Sequence, residues 1–184
     1  MAVRNADDIL IGGGRIFIVT EDGNTPTYYE LGYLQGEIKT TEQANSQAVK
    51  ESEGGTVITI ATDKEVHLNF NLLEANLDTL KMLNPSSGDL NTADDGNGFA
   101  VGTFQSDKTF RTEFWHKKRS GKYRCLRIFR GKISGEFTPL IINQDNESQI
   151  PIDITALADD SKPTDKNIYE VFETTAAKAP NGGW

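Results

Sequence analysis

TVITIATDKEVHLNFNLLEANLDTLKMLN, residues Thr56 to Asn84, changes its period once along its length, and that change decides the fold class. Val66, Leu68 and Phe70 alternate with Glu65, His67 and Asn69, the period of a strand with one face buried and one wet. The apolar spacing then becomes helical. Leu73, Leu77 and Leu80 fall at i, i+4 and i+7, Asn71 stands where a helix is capped, and Glu74 follows it where a capping box places an acid. Asn84 and Pro85 stop the pattern, so this reading predicts a strand running into one helix from Asn71 or Leu72 to Leu83, with Leu73, Leu77 and Leu80 buried.

Outward from this segment the chain is strand-rich. Arg15 to Thr20 and Tyr33 to Thr40 read as strands, with a turn at Asp22-Gly23. Thr109 to Ser134 reads as a hairpin turning near Ser120-Gly121. Gln149 to Thr155 reads as a late strand, with a short apolar segment at Ile168 to Phe172. The intervening TEQANSQAVKESEGG (Thr41 to Gly55) is polar and shows no sustained strand or helix face. It exceeds the roughly 2–5 residues of an ordinary hairpin loop, and long loops in compact domains are commonly functional. These patterns predict one domain over residues 1–184, an antiparallel β-sandwich or partly closed barrel with one flanking helix, a polar arm at 1–8 and another at 173–184.

Charge is unevenly placed. The net charge is −8, yet nine of the 19 Lys and Arg lie between Arg111 and Lys132 with Glu113 as the sole acid, so that segment carries +8 and the remainder −16. The acidic remainder disfavours a general affinity for nucleic-acid phosphates. The single cysteine, Cys125, cannot form an internal disulfide, which fits assembly in a reducing cytoplasm. The N-terminus has two acids before a three-residue apolar run, unlike a secretory signal. No apolar stretch approaches the roughly 20 residues that span a bilayer.

Three segments in order, the strand-to-helix run above, LGYLQGEIKT (Leu31 to Thr40) and ESQIPIDITALADDSK (Glu147 to Lys162), resemble the major tail proteins of long-tailed bacteriophages, whose subunits form the tail tube. The resemblance implies a structural virion protein, assembled in the host cytoplasm, that forms hexameric rings stacking into the conduit for DNA ejection. It implies no catalysis and no cofactor. Its implied partners are other copies of itself, the tape measure protein, the terminator and distal tail proteins, and phage DNA passing through. On this reading Thr41 to Gly55 is an inter-ring stacking loop, with Thr41, Glu42, Gln43, Asn45, Lys50, Glu51 and Glu53 as contact residues. Acids on strand faces, Glu37, Asp63 and Glu65, are candidates to line the lumen.

The basic hairpin admits two readings. Phe110, Phe114, Trp115, Tyr123 and Phe129 interleave with cations, as on surfaces that stack single-stranded nucleic acid. Alternatively Arg111, Lys117, Lys118, Arg119, Lys122 and Arg124 meet an acidic patch on a neighbouring copy, which the acidic remainder of the chain favours.

Other chemistries are poorly served. Gly12-Gly13-Gly14 has no following Lys-Ser or Lys-Thr and leads into a strand, so it reads as a turn. His67 and His116 stand in strand patterns without a nucleophile at a telling spacing. Asp89, Asn91 and Asp94 lack EF-hand spacing, and two histidines with one cysteine make a poor zinc set. Cys125, between Arg124 and Arg127, reads as a small core residue rather than a reactive thiolate. Asp94-Asp95 and Asp159-Asp160 lie in loop-like sequence, where a hydrolase would need two acids converging in a cleft. The alternative from another class is a monomeric carbohydrate-binding β-sandwich using Trp115 and nearby aromatics as a stacking platform.

Overall fold

Residues 13–22, 25–50, 56–73, 76–84, 87–88, 98–102, 108–134, 137–138 and 149–175 are described in a computed structural model; for 21, 22, 25, 46–50 and 56–63 the backbone alone is described. The chain is mainly β and antiparallel. Strands β1 (Gly14–Asp22), β2 (Thr25–Glu30), β3 (Leu34–Lys50) and β4 (Thr56–Leu72) precede helix α1 (Leu77–Leu83). Short strands β5 (Ser87–Gly88) and β6 (Ala100–Val101) pair with each other. Then come β7 (Phe110–Lys117), β8 (Tyr123–Ile133), β9 (Ile150–Leu157) and β10 (Tyr169–Thr174).

The main sheet runs β2-β1-β7-β8-β9-β4-β3, with β10 also on β8. Its path turns on β8. One edge of that strand pairs with β7 along most of its length; the other is shared, residues 123–128 taking β10 and Arg130–Ile133 taking β9. The β1-β7-β8-β10 part and the β9-β4-β3 part thereby face each other as a sandwich open at its ends, not as a closed barrel. Gly131 lies at the crossover, where an added Cβ would sit 2.8 Å from Ile154 Cγ2. A side chain there would hold the layers apart.

The core follows the period-2 pattern. Ile16 and Ile18 of β1, Val66, Leu68, Phe70 and Leu72 of β4, Ile128 of β8, and Ile152 and Ile154 of β9 are buried between the layers. Gly14 begins β1 beneath the Phe114 ring, so a Cβ there would meet Phe114 Cε2 at 2.1 Å.

The helix is shorter than the sequence spacing predicts. Asn71 and Leu72 remain in β4, held on one side by Gln35 and Leu34 of β3 and on the other by Pro151 and Ile150 of β9. Two hydrogen-bonded ladders and full burial of Leu72 outweigh a capping box. Asn76 is the N-cap instead, its side-chain oxygen accepting from the Thr79 amide at 2.8 Å. With the start moved, the buried face becomes Thr79, Leu80 and Leu83, whereas Leu77 is 43% exposed. Leu80 and Leu83 join the main core; Leu77 does not. The helix end is closed by Asn84 donating to the Leu80 carbonyl and by the Lys108 ammonium, which donates to Asn84 O and to Ser87. The turn at Gly23 lies outside the described residues.

Leu83→Ala should therefore cost about 2–5 kcal/mol and Leu77→Ala less than about 1 kcal/mol. Urea unfolding of the two variants checks this; equal losses would refute the observed face.

Candidate functional site

The basic hairpin forms as its sequence predicts, with β7 and β8 paired from Lys117↔Tyr123 down to Phe110↔Gly131. Its charge is largely answered from within the subunit. Arg111, Glu113 and Trp115 of β7 share the outer sheet face with Cys125 and Arg127 of β8 and Glu170 and Phe172 of β10. Glu113 is fully buried there. It accepts from Trp115 Nε1 at 2.9 Å and from Arg127 Nε at 2.8 Å, and Arg111 Nε lies at 3.3 Å. Glu170, directly across from Arg127, takes its other nitrogen at 2.6 Å. Carboxylate oxygens accept, so this arrangement satisfies Glu113 with charged and neutral donors.

The same network decides two sequence readings. Trp115 is completely buried, packed edge-on against Phe172 at 5.7 Å, so it offers no stacking platform to a sugar or a base. Cys125 is buried beside it, and burial pushes its thiol well above the ordinary range, so it is a core residue and not a thiolate. A cavity of about 510 Å³ adjoins this face, bordered by Arg111, Arg127, Arg130 and Lys162. Those four cations meet Asp159, Glu170 and the underlying Glu113, so the cleft is nearly neutral.

At the hairpin tip the six predicted contact residues separate into two groups. Lys118 is buried and donates to Glu173 Oε1 at 2.9 Å; Arg124 donates to the same oxygen at 2.6 and 2.9 Å. Together they hold the Glu173 carboxyl below the usual carboxylate range. With Arg111 engaged by Glu113, half of the predicted set has an acid partner within the subunit. Lys117, Arg119 and Lys122 are exposed. Lys117 lies 5.9 Å from the Tyr123 ring centroid. Glu173 and Thr174 belong to β10, so the expected arm at 173–184 begins later than its composition suggests; its residues 176–184, like the arm at 1–8, lie outside the described residues.

The opposite layer presents a polar outer face. Glu65, His67, Asn69 and Asn71 of β4 alternate with the buried positions, beside Asp153 and Thr155 of β9. His67 is bound on both ring nitrogens by carboxylates: Nδ1 to Asp153 Oδ1 at 3.0 Å and Nε2 to Glu65 Oε1 at 3.2 Å. Both acceptors require a hydrogen, so the imidazolium is the form that fits. The hydrogen bond to Asp153 is the main reason His67 is held above its usual pKa. Thr155 Oγ1 is 3.4 Å from Nδ1, yet Asp153 takes that nitrogen at shorter range. An imidazolium already donating twice cannot act as a general base, so this is a strand-to-strand clamp and not a nucleophile triad. Sequence spacing missed it because Glu65 and His67 are 86 to 88 residues from Asp153. The remaining histidine, His116, is buried in β7 with Nδ1 3.2 Å from the Gly13 carbonyl.

Of the lumen candidates, Glu65 belongs to this clamp and Glu37 is exposed in the irregular stretch of β3 between Gln35 and Lys39. Asp63 pairs by its backbone with Asn45.

The predicted stacking loop is mostly strand. Residues 41–50 belong to β3 and pair with β4 through Lys50↔Thr56. Thr41, Glu42, Gln43, Asn45 and Lys50 are thus strand residues; Glu51 and Glu53 lie outside the described residues. The ladder of β9 on β4 extends only from Val66 to Leu72. Among the described strands, residues 56–65 pair with β3 alone, a two-stranded arm of ten residues on the β4 side, about 33 Å long at strand rise. The arm's root is fastened to the body: Glu42 pairs with Lys64 at 2.8 Å and accepts from the Tyr169 hydroxyl.

Among the described residues no group of three or more His, Cys, Asp or Glu side chains could hold a metal ion. No described helix is long and apolar enough to cross a membrane. Asp89, Asn91 and Asp94 lie outside the described residues. No protein-family model matches the chain, and no curated protein matches its sequence.

Two outcomes test this geometry. Removing one partner of a buried ion pair costs about 3–5 kcal/mol, and since the Arg127 side chain is 24% exposed, Glu113→Ala should fall near the lower end, about 3 kcal/mol. Denaturant unfolding measures it. His67 has a raised folded-state pKa, so its contribution to stability is complete below its unfolded value of about 6.5 and is lost as pH rises through the folded value. The stability advantage of wild type over His67→Gln should accordingly be full below about pH 6.5 and shrink as pH rises above it. A pH-independent difference would show that the clamp does not need the cation.

Proposed function

We propose that this chain is a tail tube subunit of a long-tailed phage or a phage-derived particle, assembling with copies of itself into rings that stack as a conduit. The observation that carries the reading is the two-stranded arm of β3 and β4. A lone β-ribbon is marginal in water; three or more strands or a covering layer are needed to stabilise one. The arm therefore reads as a part that gains its partners on assembly. Free outer edges of β2, β3 and β10 among the described strands support the same reading, since unpaired edges are templates for another chain. The ordered sequence resemblance supplies the family, and the antiparallel sandwich with one helix is consistent with it.

On this reading the subunit makes and breaks no covalent bond. DNA must pass without adhering, which calls for a polar lumen face with few organised cations. The outer face of β4 and β9, with Glu65 and Asp153 around one histidine, suits such a wall. The stacking role passes from a loop to the arm.

Electron microscopy of the concentrated protein should show rings or tubes. A variant joining Ala44 to Lys64 through Asn-Gly removes the arm at a paired position and should melt as cooperatively as wild type, while forming at most isolated rings. Normal tubes from that variant would sink the arm's role, and monomers at every concentration from wild type would sink the reading as a whole.

A further inference from the structure

The sequence treats the basic hairpin as one cationic surface, but the structure divides it. Four of its nine cations are tied to acids of the same subunit: Arg111 and Arg127 to Glu113, Arg127 also to Glu170, and Lys118 and Arg124 to Glu173. Three exposed cations remain together at the tip, with no carboxylate partner among the described residues: Lys117, Arg119 and Lys122. They sit within six residues of chain on a turn that is rigidly closed. Lys118 N–H donates to the Lys122 carbonyl at 2.8 Å and Gly121 N–H to the Lys118 carbonyl at 3.0 Å. Gly121 has φ +82°, the left-handed residue a short hairpin loop requires. Beneath the turn, Glu173 grips Lys118 and Arg124, tying the tip to β10. Ser120 and Gly121 add little bulk, so the tip is a narrow, pre-ordered cationic knob.

We infer that this knob is an electrostatic docking key for a carboxylate-bearing surface of a second copy of the chain, with Lys117, Arg119 and Lys122 making the contact and Lys118, Arg124 and Glu173 holding the turn in shape. The inference rests on the self-assembly in the proposed function. A second copy is favoured over a nucleic acid on two grounds. Outside residues 111–132 each copy carries a charge of −16, which attracts the knob of another copy and repels a polyanion. The aromatic residues that would stack bases are turned away from this role: Trp115 is fully buried, Phe110 nearly so, and Tyr123 lies beside Lys117. Exposed charges at an interface rim act over the Debye length, about 10 Å at 0.1 M salt, so the contact should weaken with ionic strength.

The test is sedimentation velocity over a concentration series at about 0.05 M and about 0.5 M salt, with wild type, the Lys117→Gln/Arg119→Gln/Lys122→Gln triple variant, and Lys117→Arg/Lys122→Arg, which keeps the charge. Wild-type association should be salt-sensitive and weakened about tenfold or more in the triple variant at low salt, retained in the arginine variant, with melting of all three unchanged. Glu173→Gln should instead lower the melting temperature, because it leaves buried Lys118 without its acid. Equal association of wild type and the triple variant overturns the key, whether or not tubes are seen. Salt-sensitive dimers that the triple variant abolishes, without tubes in the microscope, keep the key and remove the tube. Wild type that stays monomeric but binds a single-stranded oligonucleotide through these three residues overturns the inference in favour of a nucleic-acid partner.

Discussion

Strand β8 has three partners and only two edges, and the rest of the molecule is arranged around that constraint. Its shared edge passes from β10 to β9 between Ile128 and Arg130, and the sheet does not stay flat there. It folds over, bringing Ile128 and Ile154 into one core. Gly131 allows the approach: a Cβ within 2.8 Å of Ile154 would reopen the crossover. β9 leaves β4 at Val66, and beyond that point β4 pairs, among the described strands, with β3.

Branching also accounts for the electrostatics. Antiparallel pairing of β10 with β8 sets Glu170 opposite Arg127 and Glu173 opposite Arg124, so the acids that neutralise the basic strand come from more than forty residues away. Only then can Glu113 be buried, because Arg127 is held in place on its far side. A carboxylate left alone in that position would be far costlier than its hydrogen bonds could offset. Covering the outer face of β7 and β8 in this way turns a stripe of aromatic and basic residues into a second small core of Phe17, Val19, Trp115 and Cys125. Of the five hairpin cations left without such a partner among the described residues, Lys117, Arg119 and Lys122 gather at the turn.

What could be read from the sequence was whatever rests on local period and burial. The alternation at Val66, Leu68 and Phe70, the β7–β8 hairpin with its turn near Gly121, and the strand around Ile152 are all there, because each has one face in the core. The errors have one physical cause: long-range pairing overrode a local preference. Asn71 is a fair helix cap, but two ladders hold it in β4, and Asn76 serves five residues later. Thr41 to Lys50 shows no strand pattern because most of that stretch is stabilised by its partner strand and not by a core. The clamp on His67 and the acids on Arg127 and Arg124 require knowing which distant strands are neighbours, which no spacing within one segment contains.

Edges and arm then bear on stability and assembly together. In the body, inward-facing side chains are buried between two layers, which outweighs the entropy of ordering the backbone. The arm's two strands hold each other's backbone groups, and Glu42 and Lys64 fasten its root to the body. Ordering that ribbon is therefore close to balanced in isolation and becomes favourable once another chain covers a face or pairs an edge. Binding of that kind stabilises the folded form by mass action, so on the proposed function the arm's stability would rise with protein concentration. On the proposed function, a subunit built this way would stay separate when dilute and gain cover for the arm from its neighbours, which would couple completion of the fold to growth of the assembly.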